Sequence, residues 1–183
     1  RSTLGAAPDA ATAAALIALW LHRVTGRDDL TLGLLSMGRL GSPAARVPAC
    51  WVNVLPLRMT VEPSDTLAAL TARSTEVLSG ASRHGRHRYE DLRRLSGTLG
   101  GGRLVGPLLN IKPFLRELEI GGHRGIVENL SSGPVDDLAI TLEGAHLLVE
   151  GHPDRYTEST LAGHADRIAL TLARGMAADP GTR

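Results

Sequence analysis

Aromatic side chains are scarce in this sequence. Phenylalanine, tyrosine and tryptophan together make up 3% of 183 residues, although 43% are hydrophobic, so the core must be built from leucine, valine, isoleucine and alanine. Cysteine occurs once, at Cys50. That excludes an internal disulfide and a cysteine-based zinc site, and it suits a reducing compartment, so a cytoplasmic location is expected. Lys112 is the only lysine and every other basic residue is arginine; with abundant alanine and glycine, this reads as GC-rich coding. Neither charge sign is in excess, with 20 basic and 19 acidic residues and a net charge of +1. The sequence therefore shows no sign-biased patch or tail of the kind that holds nucleic acid or an anionic membrane. The longest apolar run, Ala13 to Leu21, falls far short of the roughly 20 residues needed to span a bilayer. No signal peptide and no initiator methionine are present, and Arg1-Ser2-Thr3 reads as a start inside a longer protein.

What the sequence does contain is an ordered series of elements. Asp9 to Thr25 opens on Pro8-Asp9 and closes at Gly26, the pattern of a capped helix. Leu30 to Ser36 reads as a buried strand ended by Gly38, and Trp51 to Val61 as a second, with Pro56 implying an edge, a bulge or a bend. Ser64-Asp65 is expected to cap a helix running to about Ser82, with Leu67, Leu70, Val77 and Leu78 as its apolar stripe. His84 to Arg88 reads as a polar turn, Tyr89 to Leu95 as a short helix, and Gly97 to Gly102 as a mobile loop. Strands are expected at Leu108 to Phe114, around Gly125 to Asn129, at Leu138 to Leu142 and at His146 to Glu150. Turns fall at Gly121-Gly122 and Glu143-Gly144-Ala145. A last helix runs from Glu158 to about Ala178 and stops at Asp179-Pro180. The order gives one domain of the α/β (α+β mixed) class, a mixed sheet flanked by helices.

Cys50 to Arg58 is the most informative stretch, a buried strand carrying one polar side chain, Asn53. A buried amide without partners costs a few kcal/mol (about 2–7), so Asn53 must bond either to backbone or to something that enters a cleft. Ser36-Met37-Gly38-Arg39 ends a strand and opens a loop, where sheets expose site residues; Arg39 suits a surface ion pair or a contact to a second lobe. His84 and His87 have a metal-like spacing, but Arg83, Arg86 and Arg88 beside them would repel a cation, so no metal is expected. His152-Pro153-Asp154 and His164-Ala165-Asp166 lack the third member of a triad and read as turn decoration. Ser131-Ser132-Gly133 lacks the strand and helix of a nucleophile elbow. Gly100-Gly101-Gly102 lacks the order and flanking strand of a phosphate loop.

Trp51-Val52-Asn53, ending in Pro56-Leu57-Arg58, resembles the fifth core motif of nonribosomal peptide synthetase condensation domains, with Ala49 for glycine, Trp51 for phenylalanine and Val54 for threonine. His84 through Glu90 is similar to the sixth motif, matching at His84, Tyr89 and Glu90. Gly106-Pro107-Leu108 resembles a degraded seventh motif. Leu109-Asn110-Ile111-Lys112-Pro113-Phe114 and Gly133-Pro134-Val135-Asp136-Asp137-Leu138 resemble segments of siderophore- and depsipeptide-type members. The resemblance covers about residues 5 to 180.

It implies a chloramphenicol-acetyltransferase-like lobe. In that family two such lobes form a V around a tunnel, and the catalytic His-His-x-x-x-Asp-Gly motif belongs to the N-terminal lobe. None of the seven histidines here is adjacent to another, so the resemblance implies the C-terminal lobe alone, with no catalytic residue of its own and inactive by itself. The implied reaction joins a donor thioester to the amine of an acceptor aminoacyl thioester. Both arrive on peptidyl carrier proteins by phosphopantetheine arms, so no cofactor binds this chain directly. The N-terminal lobe, the carrier proteins and a nearby adenylation domain are the implied partners; nucleic acid and membrane are not. Ser36, Met37, Gly38, Arg39, Asn53 and Tyr89 are the residues implied to line the tunnel or touch the other lobe, a surface expected to be apolar and prone to self-association. Two alternatives stay open: a degenerate domain that recruits a partner protein, and a variant that performs epimerisation, cyclisation or ester formation.

Overall fold

The computed structural model describes residues 2–39, 43–112, 117–126, 133–179 and 181–182. Its first helix, α1 (Ala10–Thr25), starts because the Asp9 carboxylate accepts from the amides of Ala11 (2.9 Å) and Thr12 (3.0 Å). The Thr12 hydroxyl adds a third bond, and these bonds hold the Asp9 carboxyl below its ordinary value. The helix ends where Gly26 turns left-handed at φ 67° and donates its amide to the His22 carbonyl. Ala13, Ala14, Ala15, Ile17 and Ala18 are completely buried. Small side chains on several faces let α2 (Leu67–Arg83) and α4 (Glu158–Ala177) pack closely on either side of α1.

Beneath this helix layer lies a six-stranded sheet in the order β1-β8-β7-β4-β2-β3. The strands are β1 (Ser2–Thr3), β2 (Asp29–Ser36), β3 (Asn53–Thr60), β4 (Leu108–Lys112), β7 (Leu138–Glu143) and β8 (His146–Gly151). β4 runs parallel to both β2 and β7, and the other pairings are antiparallel. Register assigns the faces, because directly paired residues share one. Leu30 pairs Met59, Leu32 pairs Leu57, Leu34 pairs Leu109, Ile140 pairs Val149 and Leu142 pairs Leu147. All of these pack in the core with Leu16, Leu70, Ile168 and Leu172 from the helices. The opposite face carries Val54, Leu108, Asn110, Lys112, Thr141 and Glu150, and no long helix among the described residues covers it. Over β2 it is closed by Val105: a Cβ on Gly33 would lie within 3.0 Å of Leu108, Val105 and Val54 side chains.

β3 is the outermost strand, which explains how it tolerates Pro56. The pair Gly33–Pro56 turns its backbone groups away from each other, since the Gly33 amide donates to the Pro107 carbonyl on the β4 side. The missing amide proton of Pro56 therefore faces the open edge. A second, separate sheet is the hairpin of β5 (Glu117–Ile120) and β6 (His123–Ile126), joined at Gly121-Gly122. The remaining helix, α3 (Tyr89–Leu95), has the bounds expected from sequence.

Several expectations are corrected. Strand pairing begins at Asn53, not Trp51, because β2 ends at Ser36 and offers no partner beyond it. Trp51 and Val52 are 54% and 58% exposed and so are not part of a buried strand. Helix α2 is capped by Thr66, whose hydroxyl accepts from the Ala69 amide (3.2 Å), and not by Ser64-Asp65. Asp65 is taken instead by the Arg73 guanidinium in a two-pronged pair (2.6 and 2.8 Å) that holds its carboxyl below the ordinary range. The glycine-rich segment holds a short 3₁₀ turn at Thr98–Gly100. Strands β1 and β5 were not anticipated. Pro113, Phe114, residues 127–129, Ser131, Ser132 and Pro180 lie outside the described residues.

Two glycines of α4 separate packing from helix propensity. A Cβ on Gly175 would overlap the Leu16 side chain, whereas one on Gly163 meets nothing within 4 Å. Chemical denaturation should therefore show Gly163→Ala stabilising by up to about 1 kcal/mol. Gly175→Ala should instead destabilise by about 1–2 kcal/mol, the overpacking of a buried leucine exceeding the same propensity gain.

Candidate functional site

Asn53 opens β3 opposite Ser36, on the helix-bearing face. Its Nδ2 donates to the carbonyls of Gly85 (3.0 Å) and His87 (2.7 Å), and its Oδ1 accepts from the Tyr89 amide (3.0 Å). Gly85 and His87 belong to the turn between α2 and α3, and Tyr89 opens α3. Of the two roles open to this amide, the structure shows the backbone one. The bond to Tyr89 also satisfies an amide at the start of α3, which has no side-chain cap of its own.

Around this clamp the expected site residues come together. The Ser36 hydroxyl accepts from the Gly38 amide (3.3 Å). Gly38 has φ 55°, which turns the chain out of β2, and the Trp51 indole lies 3.6 Å from where its Cβ would be. Arg39 donates to the carbonyls of Val47 (2.7 Å) and Ala49 (3.1 Å), bracing the loop that leads into Trp51. Tyr89 is half-buried, and burial lifts its phenol above the ordinary value; Arg93 opposes the shift and Asp136 adds to it. The result is a cleft of about 630 Å³ lined by Gly38, Arg39, Trp51, Asn53, Arg86 and Arg88, with Cys50, Val52, Gly85 and Glu90 completing it. Trp51 and Val52, which line it, are exposed apolar side chains, and Met37 and Val47 are exposed on the adjoining segments. Sequence reading missed Arg86 and Arg88 as members of this cleft and saw them only as cations hostile to a metal.

Arg58, the last residue of the motif strand, lies on the other face and pairs with Asp29 through Nε (2.9 Å) and Nη2 (2.7 Å). His84 and His87 have ring centroids 6.3 Å apart, and no group of potential metal ligands occurs among the described residues. His152 accepts the Asp154 amide at Nδ1 (3.2 Å) within a turn. His164 packs edge-on against Trp20 (5.5 Å) and Tyr156 (5.9 Å), and its buried Nδ1 has no hydrogen-bond partner among the described residues. Burial, with a smaller contribution from Arg167, depresses its pKa. No described helix is long and apolar enough to cross a membrane.

A six-stranded mixed sheet with a parallel β2–β4–β7 centre and long helices layered on one face defines a chloramphenicol-acetyltransferase-like fold. Solved condensation domains superpose on it. The first condensation domain of the calcium-dependent antibiotic synthetase matches 94% of this chain with a TM-score of 0.84 and 36% identity, over 39% of its own length. The starter condensation domain of rhizomide synthetase matches 97% with a TM-score of 0.82 and 32% identity, over 45% of its length. The family model for the condensation domain matches residues 11–132. The chain belongs to the condensation domain family of nonribosomal peptide synthetases. Among curated relatives, the dimodular nonribosomal peptide synthase of Bacillus subtilis is 39% identical over 90% of this chain and 7% of its own length. The isonitrile lipopeptide synthase of Streptomyces coeruleorubidus is 43% identical over 90% and 12%. Enterobactin synthase component F of Escherichia coli is 39% identical over 92% and 13%. The chain thus spans about two fifths of the solved domains and a smaller part of these synthetases.

Three substitutions test the local chemistry. Asn53→Ala should cost about 2 kcal/mol in urea denaturation by leaving the turn without its bridge. Asn53→Asp should cost more at neutral pH, since a carboxylate cannot donate to the Gly85 and His87 carbonyls. His164 has a depressed folded pKa, so its contribution is present above the unfolded value of about 6.5 and is lost as pH falls through the folded value. Melting temperature should therefore drop on acidification below about pH 6.5, and His164→Phe should flatten that slope.

Proposed function

We propose that this chain is the C-terminal lobe of a peptide-bond-forming condensation domain, with the proton-handling histidine supplied by an N-terminal lobe. The observation that carries this reading is the one-sided sheet. Helices cover one face, while among the described residues no long helix covers the face bearing Asn110, Lys112, Thr141 and Glu150. Among the described residues the β5–β6 hairpin is paired to nothing but itself, and an isolated two-stranded hairpin is marginally stable in water. Both features suit a lobe that packs against a second one, as does the match to two fifths of solved domains.

In this reading the acceptor amine attacks the donor thioester carbonyl. A C–N bond forms, the C–S bond breaks, and the donor carrier's phosphopantetheine leaves as the thiol while the amine gives up its proton. Holding two long arms end to end makes the encounter effectively intramolecular, which supplies much of the acceleration. The imidazole from the other lobe positions or deprotonates the amine. The contribution of this chain is a wall: the Ser36–Arg39 segment, Asn53 and Tyr89 form its rim at the end of β2, and Asn53 keeps that rim fixed. Its partners are the N-terminal lobe and the carrier proteins, beside an adenylation domain.

Mixing the chain with an N-terminal lobe carrying His-His-x-x-x-Asp-Gly and two loaded carrier proteins should yield the dipeptidyl product, detected by mass spectrometry of the acceptor carrier. The chain alone should give none. Absence of product from two folded lobes, or turnover by this chain unaided, overturns the reading.

A further inference from the structure

The helix layer holds a recess that the reaction proposed above does not use. It lies between α1, the start of α2 and the last turns of α4, and has a volume of about 440 Å³, within the roughly 300–1,000 Å³ of small-molecule sites. None of its lining residues belongs to a sheet strand or to the cleft at Trp51. Its walls are aliphatic, from Leu16 and Leu19 of α1, Val61, Leu67 and Leu70 around the entry to α2, and Leu170 of α4. Leu170 is 49% exposed, so part of this apolar surface stands open to solvent.

The recess is not a loosely packed gap. Gly175 leaves no room for a Cβ beside Leu16, so α1 and α4 already approach as closely as they can. The chain itself closes one side, where the Thr182 carbonyl accepts from the Leu67 amide (2.8 Å) and ties the tail after α4 to the first residue of α2. The charges around it are unevenly committed. Asp65 is neutralised by Arg73, and the His22 ring meets the Arg27 carbonyl (2.9 Å). Arg23 and Arg174 both line the recess and make no hydrogen bond or ion pair among the described residues, which leaves Glu62 as the one opposing carboxylate. Each arginine sits in the last turn of its helix, where a cation suits the helix dipole. That accounts for a basic residue in each helix, but not for the convergence of both on one aliphatic hollow.

We propose that this recess binds a soluble single-chain anionic amphiphile, a medium-chain carboxylic acid, with its alkyl chain against the leucines and its carboxylate on Arg23 and Arg174. Charge decides the class of ligand. A carboxylate gives two unpaired guanidinium groups the charge-assisted partner they lack, whereas an uncharged or cationic chain of the same length gives them none. The site stands independently of the condensation reaction, since it shares no residue with the rim that the reaction would use.

Calorimetric titration of the chain with sodium decanoate, kept below its micellar concentration, tests the proposal. Saturable uptake of one decanoate per chain is expected. Octanoate should bind on the order of tenfold more weakly, because each buried methylene contributes about fourfold in affinity. Decyltrimethylammonium, with the same chain and the opposite charge, should bind at least tenfold more weakly than decanoate. Both comparisons use the unaltered chain and so do not depend on a variant folding. The Arg23→Glu, Arg174→Glu double variant should lose at least tenfold in decanoate affinity, and Ala178→Phe, which places a ring in the recess, should abolish uptake. Arg27→Glu, which makes the same charge exchange outside the lining, should bind as the parent does; circular dichroism checks that each variant is folded. No saturable uptake, equal binding of the cationic amphiphile, undiminished affinity in the folded double variant, or association only with anionic lipid vesicles would each overturn the proposal.

Discussion

One side-chain amide holds the functional end of this molecule together. A primary amide offers two donor hydrogens and an acceptor oxygen in one plane, and Asn53 spends them on three backbone groups within a single turn. No other neutral side chain of that length presents the same set. The consequence reaches beyond the turn. The strand fixes Asn53, Asn53 fixes the start of α3, and the residues on both sides of it inherit their positions.

The second constraint is the close approach of helices. An alanine-rich α1 can be enclosed by α2, α4 and the sheet because it presents little volume, and Gly175 completes the fit by making room for Leu16. With aromatics so rare, cohesion comes from many aliphatic contacts over a short distance, which suits a dense and stiff layer. That layer lies on one side only. The opposite face keeps a row of polar groups, the composition of a surface that meets something other than its own core.

Much of this architecture was legible in the sequence, and the reasons for the exceptions are physical. Helix α1 was readable because Asp9 and Gly26 act on their own chain neighbours, and α3 because His84 to Arg88 is too polar to continue the preceding helix. Asn53 was recognisable as a residue in need of partners, though not which ones, since those partners lie more than thirty positions away. Trp51 and Val52 misled because an apolar run looks the same whether it faces a core or the mouth of a cleft. Ser64, Asp65 and Thr66 all suit a helix start; Arg73, two turns later, decided the matter by claiming Asp65. The cationic lining of the cleft was invisible for a related reason, as Arg39 lies on one segment and Arg86 and Arg88 on another, and a near-neutral net charge conceals their convergence.

Pro56 has a consequence of its own. The outer flank of β3 is a row of backbone groups that a stray strand from another molecule could copy. With a proline ring where an amide hydrogen would stand, that row is interrupted near its middle. Extension of the sheet by a strand templated along this border is thereby hindered at its centre.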